Sequence, residues 1–318
     1  MGDLLATARS VDFQSRAVAP ARELGAYEAL WLRPDASLER LAALFRAQPD
    51  ALPSQLVSAA SAERCTRQVL DVLGARGIEA PGIRIHGAGG YPARLRAAAD
   101  PARLLYFQGN WDLIDSRCVA IVGTRRPSLA GRRAARELAR CGVRHDFTVV
   151  AGLARGIDTC AHRASLAAGG RSIGVLGTPI TQCYPPENRA LQAWMAREQL
   201  LISHVPILRH ARQGVADNRR FFTQRNALIA ALCEVVVIVE AGEDSGTLSV
   251  ARRAAKQGRT LIFHTCATNA RLTWQPRFPE LGAALECSVA ELDDYLAARA
   301  THPHRRVPSR AARTARDG

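Results

Sequence analysis

The stretch AGLARGIDTCAH, residues 151–162, sets Asp158 and His162 four positions apart. On a helix that spacing puts a carboxylate and an imidazole on one face. Three chemistries could use them. A metal site needs a third ligand, and the neighbouring sequence offers none. Acid–base catalysis needs a nucleophile within reach, and Thr159 and Ser165 stand in no special context. The third reading uses the glycines. Gly152 and Gly156 let the chain turn sharply from a strand into a helix, and Arg155 between them is expected to face a ligand. Asp158 then serves as a cap at the helix start, and His162 as a packing residue.

Such a turn needs a strand before it and a helix after it. FTVVAG (147–152) is one of six short apolar runs, with CVAIVG (118–123), SIGVLG (172–177), LLISHV (200–205), EVVVIVE (234–240) and TLIFH (260–264). Helical stretches such as GRRAARELARCG and NRALQAWMAREQ separate them. Alternation of this kind implies a doubly wound, Rossmann-like α/β domain with a mainly parallel sheet and right-handed crossovers. Residues 1–80 read as a small helical N-terminal domain, carrying ASLERLAALFRAQ and SAERCTRQVLDVLGARG at helical spacing. Residues 81–297 form the Rossmann-like domain, in which 82–110 is a linker-like lead-in rich in Gly and Pro. The Arg- and Pro-rich tail, 298–318, is expected to be disordered.

In an open parallel sheet ligands bind beyond the carboxyl ends of the strands. After the first strand, Gly123, Thr124, Arg125, Arg126 and Ser128 combine a tight turn, hydroxyls and guanidinium groups beside a helix N-terminus, which favours an anion. The loop is not G-x-G-x-x-G, and no acidic residue ends the next strand to hold a ribose, so no dinucleotide or other cofactor is expected. Tyr184, Pro185, Pro186, Glu187 and Asn188 read as a structural turn into a helix. In NRRFFTQRNALIAAL (218–232) three arginines alternate with two phenylalanines and Asn226, as a single-stranded nucleic acid requires. Ser245, Gly246 and Thr247 offer one more anion-ready turn.

Composition agrees with a polyanion partner. The chain of 318 residues carries a net charge of +14. Lys256 is its one lysine, far from any glycine loop, so a G-x-x-x-x-G-K-[ST] triphosphate site is absent. Eight scattered cysteines without a C-x-x-C pair read as reduced core thiols rather than a zinc site, in a cytoplasmic protein. No apolar run reaches the roughly 18–20 residues that span a bilayer, and the N-terminus does not read as a signal peptide.

Together the loops resemble the DNA-processing family DprA, also called Smf, whose members bind single-stranded DNA and load the recombinase RecA in natural transformation. The likeness rests on YPARL with LLYFQGN, AIVGTRRPS, AGLARGIDTCAH, GVLGTPITQCYPPENRAL, FFTQRNALIAAL and VIVEAGEDSGTLSVARRAAKQGR, in that order from about Gly90 to Leu296. It implies that Arg125 contacts a DNA phosphate. It also implies that Arg219, Phe222, Arg225 and Asn226 supply a basic group, a base-stacking ring and an Arg-Asn pair. A homodimer formed through the Rossmann-like domain, a RecA partner and a SAM- or HhH-like N-terminal domain are further implications. Three positions depart from the family pattern. His204 follows Ser203 where a glutamate is usual, Ala227 follows the Arg-Asn pair, and FHTCATNA replaces a Pro-Gly. No C-terminal winged-helix domain is expected. These departures keep an interaction module that has lost DNA affinity as an alternative. An enzyme reading draws on the similar layout of the lysine-decarboxylase-like phosphoribohydrolases. DSGTLSV, however, carries Ser249 and Val250 where those proteins need a carboxylate, so a non-enzymatic protein is expected.

Overall fold

The computed structural model describes residues 18–78, 81–98, 100–242, 246–264 and 285–300. Helices α1 (Pro20–Trp31), α2 (Leu38–Ala47) and α3 (Ala59–Gly74) come first, followed by β1 (Gly82–Ile85), α4 (Ala93–Arg96) and β2 (Leu104–Gly109). Next are β3 (Cys118–Val122), α5 (Leu129–Arg144), β4 (Thr148–Ala151), α6 (Ile157–Ala167), β5 (Ser172–Leu176), α7 (Arg189–Glu198) and β6 (Leu200–Ser203). The chain continues through α8 (Ile207–Arg212), α9 (Val215–Leu232), β7 (Val235–Ile238), α10 (Gly246–Lys256), β8 (Thr260–His264), β9 (Leu285–Cys287) and α11 (Val289–Ala300). It divides into two compact units. The first holds Met1–Phe107, Thr178–Gln182 and Ser203–Arg220; the second holds Gln108–Gly177, Cys183–Ile202 and Phe221–Gly318.

The first unit is built on α1 and α3. Pro20 starts α1, where a missing N–H costs nothing. Ser37 and Ser58 cap α2 and α3, their hydroxyls accepting from Arg40 N at 3.1 Å and Ser61 N at 3.3 Å. Gly25 allows the close crossing of α1 and α3: a Cβ there would lie 2.0 Å from the Ala62 carbonyl oxygen. Leu24, Leu30, Phe45, Cys65, Val69 and Leu73 fill the interior. The segment read as a linker-like lead-in is structured instead, for β1 and β2 pair antiparallel with Ile83 opposite Tyr106. Gly87, Gly89, Gly90, Pro92 and Pro101 fall in the connection between the two strands, where the Tyr91 hydroxyl donates to the Ala102 carbonyl at 2.7 Å.

One carboxylate organises this unit. Glu28 is fully buried, and its Oε1 and Oε2 accept from the amides of Ile207 at 2.7 Å and Leu208 at 3.0 Å. The Tyr106 hydroxyl also donates to it. Burial pushes the Glu28 pKa up to about 7, against the pull of those three donors. The folded chain therefore holds a proton that the unfolded chain has released between about pH 4.5 and about 7. For this group, stability falls as pH rises through that window and is level above it. Glutamine at position 28 does not titrate. The melting temperature of Glu28→Gln minus that of the wild type should thus be larger at pH 8 than at pH 5 by calorimetry, and an equal difference contradicts the assignment.

In the second unit the strands run in the order β6-β5-β4-β3-β7-β8-β9. The pairs β3/β4, β3/β7, β4/β5, β7/β8 and β8/β9 are all parallel. All six apolar runs read from the sequence are strands, and β9 adds a seventh. β3, β4, β5 and β7 are buried at every residue, which explains why they read as continuous apolar runs. On one face Val119, Ile121 and Val237 pack with Leu138 of α5, Ile157 of α6, and Leu292 and Leu296 of α11. Each such side chain is worth about 1.5–3 kcal/mol when fully buried. α11 runs to Ala300, so 298–300 extend a helix rather than a disordered tail; the rest of that tail, 301–318, lies outside the described residues. The order reverses at β3, which lies between β4 and β7, and the crevice at such a switch point is where ligands bind in doubly wound folds.

Candidate nucleic-acid interface

Glycines at the carboxyl ends of β3 and β4 let two loops interlock. A Cβ on Gly123 would lie 2.6 Å from Ile157 and 2.8 Å from the Glu240 carbonyl. Gly156 has φ of 88°, and a Cβ on it would lie 2.4 Å from the Thr124 carbonyl. That carbonyl accepts from Ile157 N at 3.2 Å, while Thr124 N donates to the Glu240 carbonyl at 2.6 Å. The Thr124 hydroxyl accepts from Arg126 N at 3.2 Å. Arg125 and Arg126 are thereby carried on a fixed backbone with their side chains exposed.

Ser128 caps α5 through Gly131 N at 3.0 Å. An anion does sit at this helix start, and it is the chain's own. Glu240 Oε2 accepts from both Ser128 N and Ser128 Oγ at 3.0 Å. Gly131 makes room for it, since a Cβ there would lie 2.0 Å from Glu240 Oε2.

Asp158 stands at the second residue of α6, behind the N-cap Gly156, and so does not cap its own helix through the side chain. It is buried and folds back, its Oδ2 accepting from Gly152 N at 2.9 Å and Ala154 N at 3.4 Å. The neighbouring buried cation is Arg225, whose Nη1 donates to the carbonyls of Gly152 at 2.7 Å and Val175 at 2.9 Å. Its Nε donates to Asn226 Oδ1 at 3.1 Å, and Asn226 Nδ2 donates to the Gly246 carbonyl at 3.1 Å. Burial raises the Asp158 pKa and lowers that of Arg225, and in each case the partner's charge opposes the shift. Gly152 is the space for the guanidinium, for a Cβ would lie 1.6 Å from Arg225 Nη1. Arg225 and Asn226 thus bind strand ends to helices and are both buried.

Phe222 is the half-buried ring of the site. It packs over Gly177, where a Cβ would come within 2.5 Å of it, and meets Tyr184 edge-on at 5.8 Å between ring centroids. The guanidinium carbons of Arg125 and Arg225 lie 6.0 and 5.9 Å from its centroid. Two cavities share Phe222, Arg125 and Arg126 in their walls. The larger, of about 760 Å³, also takes in Gly123, Thr124, Asp158, Arg225, Asn226, Gly246 and Thr247. The smaller, of about 230 Å³, takes in Gly152, Arg155, Gly177 and Tyr184. Arg155 is exposed and forms an ion pair with Glu187. Arg219 is exposed and belongs to the first unit; Ser245 lies outside the described residues. Tyr184, taken from the sequence as part of a turn, is 47% exposed and enters the site.

His162 is a packing residue, as the sequence suggested. It is fully buried, with Nδ1 2.7 Å from Ser172 Oγ, and burial lowers its pKa to about 4. Asn188 is structural too, its Nδ2 donating to the Leu153 carbonyl at 2.8 Å and to Thr159 Oγ1 at 2.9 Å. Elsewhere Cys141, His145 and Asp293 bring their polar atoms within 4.8 Å of one another. Arg144 donates to the same Asp293 oxygen at 2.7 Å, closing that group by hydrogen bonds. No described helix is long and apolar enough to cross a membrane.

Fold and clefts together define a Rossmann-like α/β protein whose switch-point crevice is walled by guanidinium groups and an aromatic ring. Comparison with known proteins places it further. A model of the family described as DNA recombination-mediator protein A matches residues 82–274, more than half of the chain, and the chain belongs to that family. It is 36% identical over 172 residues to the DNA processing protein DprA of Streptococcus pneumoniae, covering 54% of this chain and 58% of that one. Against protein Smf of Synechocystis it is 39% identical over 176 residues, covering 54% and 43%. The chain spans about half the length of these curated relatives. The S. pneumoniae DprA crystal structure superposes with a TM-score of 0.61 at 26% identity, covering 88% of this chain and 94% of that one. A second solved relative, described for its single-stranded DNA binding mode, is DNA processing protein A from Helicobacter pylori. It gives a TM-score of 0.56 at 27% identity over 66% and 94% of the two chains.

Proposed function

We propose that the chain is a non-enzymatic single-stranded DNA-binding protein of recombination and natural transformation, with residues 81–297 as its DNA-binding domain. The observation that carries this reading is the placement of exposed Arg125 and Arg126 beside half-buried Phe222 in the walls of both cavities. Guanidinium groups suit a phosphate backbone, and a partly open ring suits an unpaired base. The single-stranded DNA binding mode of the H. pylori relative supports the same ligand. Arg219 is also exposed and is the further phosphate contact of this reading, whereas Arg225 and Asn226 act by holding the loops in place.

A positioning role without catalysis is supported by the cavity lining. Asp158 is the one carboxylate among the described lining residues of the larger cleft, and its oxygen is engaged by loop amides. Paired carboxylates for general acid and base work are not brought together there among the described residues. RecA loading, a homodimer and a cytoplasmic location complete the proposal, supported by family membership.

The test is oligonucleotide binding by Arg125→Ala combined with Arg219→Ala. Losing two phosphate contacts should weaken single-stranded DNA binding and reduce the log–log salt slope by about 1.4, at about 0.7 per contact. Wild-type affinity and slope in the double variant overturn the reading.

The position of Glu240 yields a further expectation. Glu240→Gln removes the negative charge that occupies the α5 start and leaves a side chain of the same shape. Single-stranded DNA should bind several-fold more tightly to this variant at low salt, since a helix-start charge is worth about 0.3–1 kcal/mol. Weaker binding would show instead that the carboxylate is needed to shape the Arg125 loop.

A further inference from the structure

The first unit contains a second basic hollow, which shares no residue with the clefts at Phe222. A cavity of about 390 Å³ is lined by Arg33, which follows α1, by Arg64 of α3, and by Arg212, the last residue of α8. Ser58 and Ser61 at the start of α3 line it too. All three arginines are exposed, and the described lining residues include no aspartate or glutamate. Among the described residues none of the three has a carboxylate within 4.0 Å. Arg40, Arg46 and Arg67 in the same unit, by contrast, are paired with Asp35, Asp100 and Glu63.

The hollow is also shaped for oxygen ligands. Arg33 Nη2 is held on the Leu56 carbonyl, and Arg64 Nη2 donates to Ser61 Oγ at 3.2 Å. A guanidinium has five N–H donors, so one such bond fixes its plane and leaves most of the fork to a ligand. Ser58 Oγ and Ser61 Oγ lie 3.0 Å apart on the same wall. Like charges converging on one concavity repel, and an anion with several oxygens relieves the repulsion while accepting from every donor. A single carboxylate could face one fork; a phosphate has oxygens enough for three.

We propose that this hollow is a phosphate-binding site, taking the phosphate of a free nucleotide or of a nucleic-acid strand. It goes beyond the single-stranded DNA site at Phe222 and does not depend on it. The experiment uses the full chain and the triple variant Arg33→Gln, Arg64→Gln, Arg212→Gln. Since all three side chains are exposed, the variant should keep the wild-type melting profile, which is checked first. Inorganic pyrophosphate is titrated by calorimetry, and a single-stranded oligonucleotide is titrated across a salt series. A tenfold or greater loss of pyrophosphate affinity in the variant establishes the phosphate site. A fall of about 2 in the oligonucleotide salt slope identifies a strand as its occupant, at about 0.7 per contact. An unchanged slope with lost pyrophosphate binding identifies a free nucleotide. If the variant matches the wild type with both probes, the proposal is overturned. Arg125→Ala serves as the parallel control, so failure of the Phe222 site and failure of this one give different results.

Discussion

Arg225→Met should lower the unfolding free energy by about 3–5 kcal/mol, the range for removing one member of a buried charge pair. Methionine keeps an unbranched, apolar stem but has no guanidinium, so the loss is mainly that of the charge and its hydrogen bonds. It leaves the Gly152 and Val175 carbonyls without their guanidinium donor, and the buried Asp158 carboxylate without its neighbouring positive charge. Adding Asp158→Asn should recover part of the loss, because the amide removes the uncompensated charge. Urea denaturation of the two single variants and the double variant measures the coupling directly. A double variant no more stable than Arg225→Met would show that Asp158 and Arg225 do not act as a pair. Because Arg225 binds the ends of β4 and β5, single-stranded DNA affinity should fall with stability.

Phe222→Ala should separate binding from folding. Base–aromatic stacking is worth about 1–3 kcal/mol by alanine substitution, equivalent to roughly 5- to 150-fold in affinity. The ring is half-buried over Gly177 and Tyr184, so the fold should lose much less than with Arg225→Met. Phe222→Trp keeps a stacking face and should retain most of the affinity, while Phe222→Leu keeps the apolar contact alone and should behave like alanine. Equal binding by the leucine and tryptophan variants would contradict stacking. Fluorescence anisotropy with a labelled single-stranded oligonucleotide distinguishes these outcomes.

The sheet was legible because buried parallel strands are uninterrupted apolar runs, as CVAIVG and EVVVIVE show. β1 and β2 were hidden, since their short runs lie among the glycines and prolines of the turn that joins them. At the site, the Gly123 and Gly152 turns and the Phe222 segment could be read locally. The role of Glu240 could not, since it depends on a contact with Ser128, 112 residues away. Glu28 was hidden for the same reason, with its amide partners about 180 residues distant. Arg225 did leave a signal. Phe221, Arg225, Leu228 and Leu232 recur at helical spacing on the buried face of α9, so this arginine belonged with the core residues rather than with Arg219. The opening Asp158–His162 pair shares a helix, yet its members serve different ends, one holding a loop and the other packing against β5.

The most direct test of the account is equilibrium binding of matched single-stranded and double-stranded oligonucleotides across a salt series, with wild type and Phe222→Ala side by side. The single strand should bind more tightly, affinity should fall linearly with salt on logarithmic axes, and the loss on Phe222→Ala should be confined to the single strand. Equal affinity for both forms, unaffected by Phe222→Ala, would contradict it.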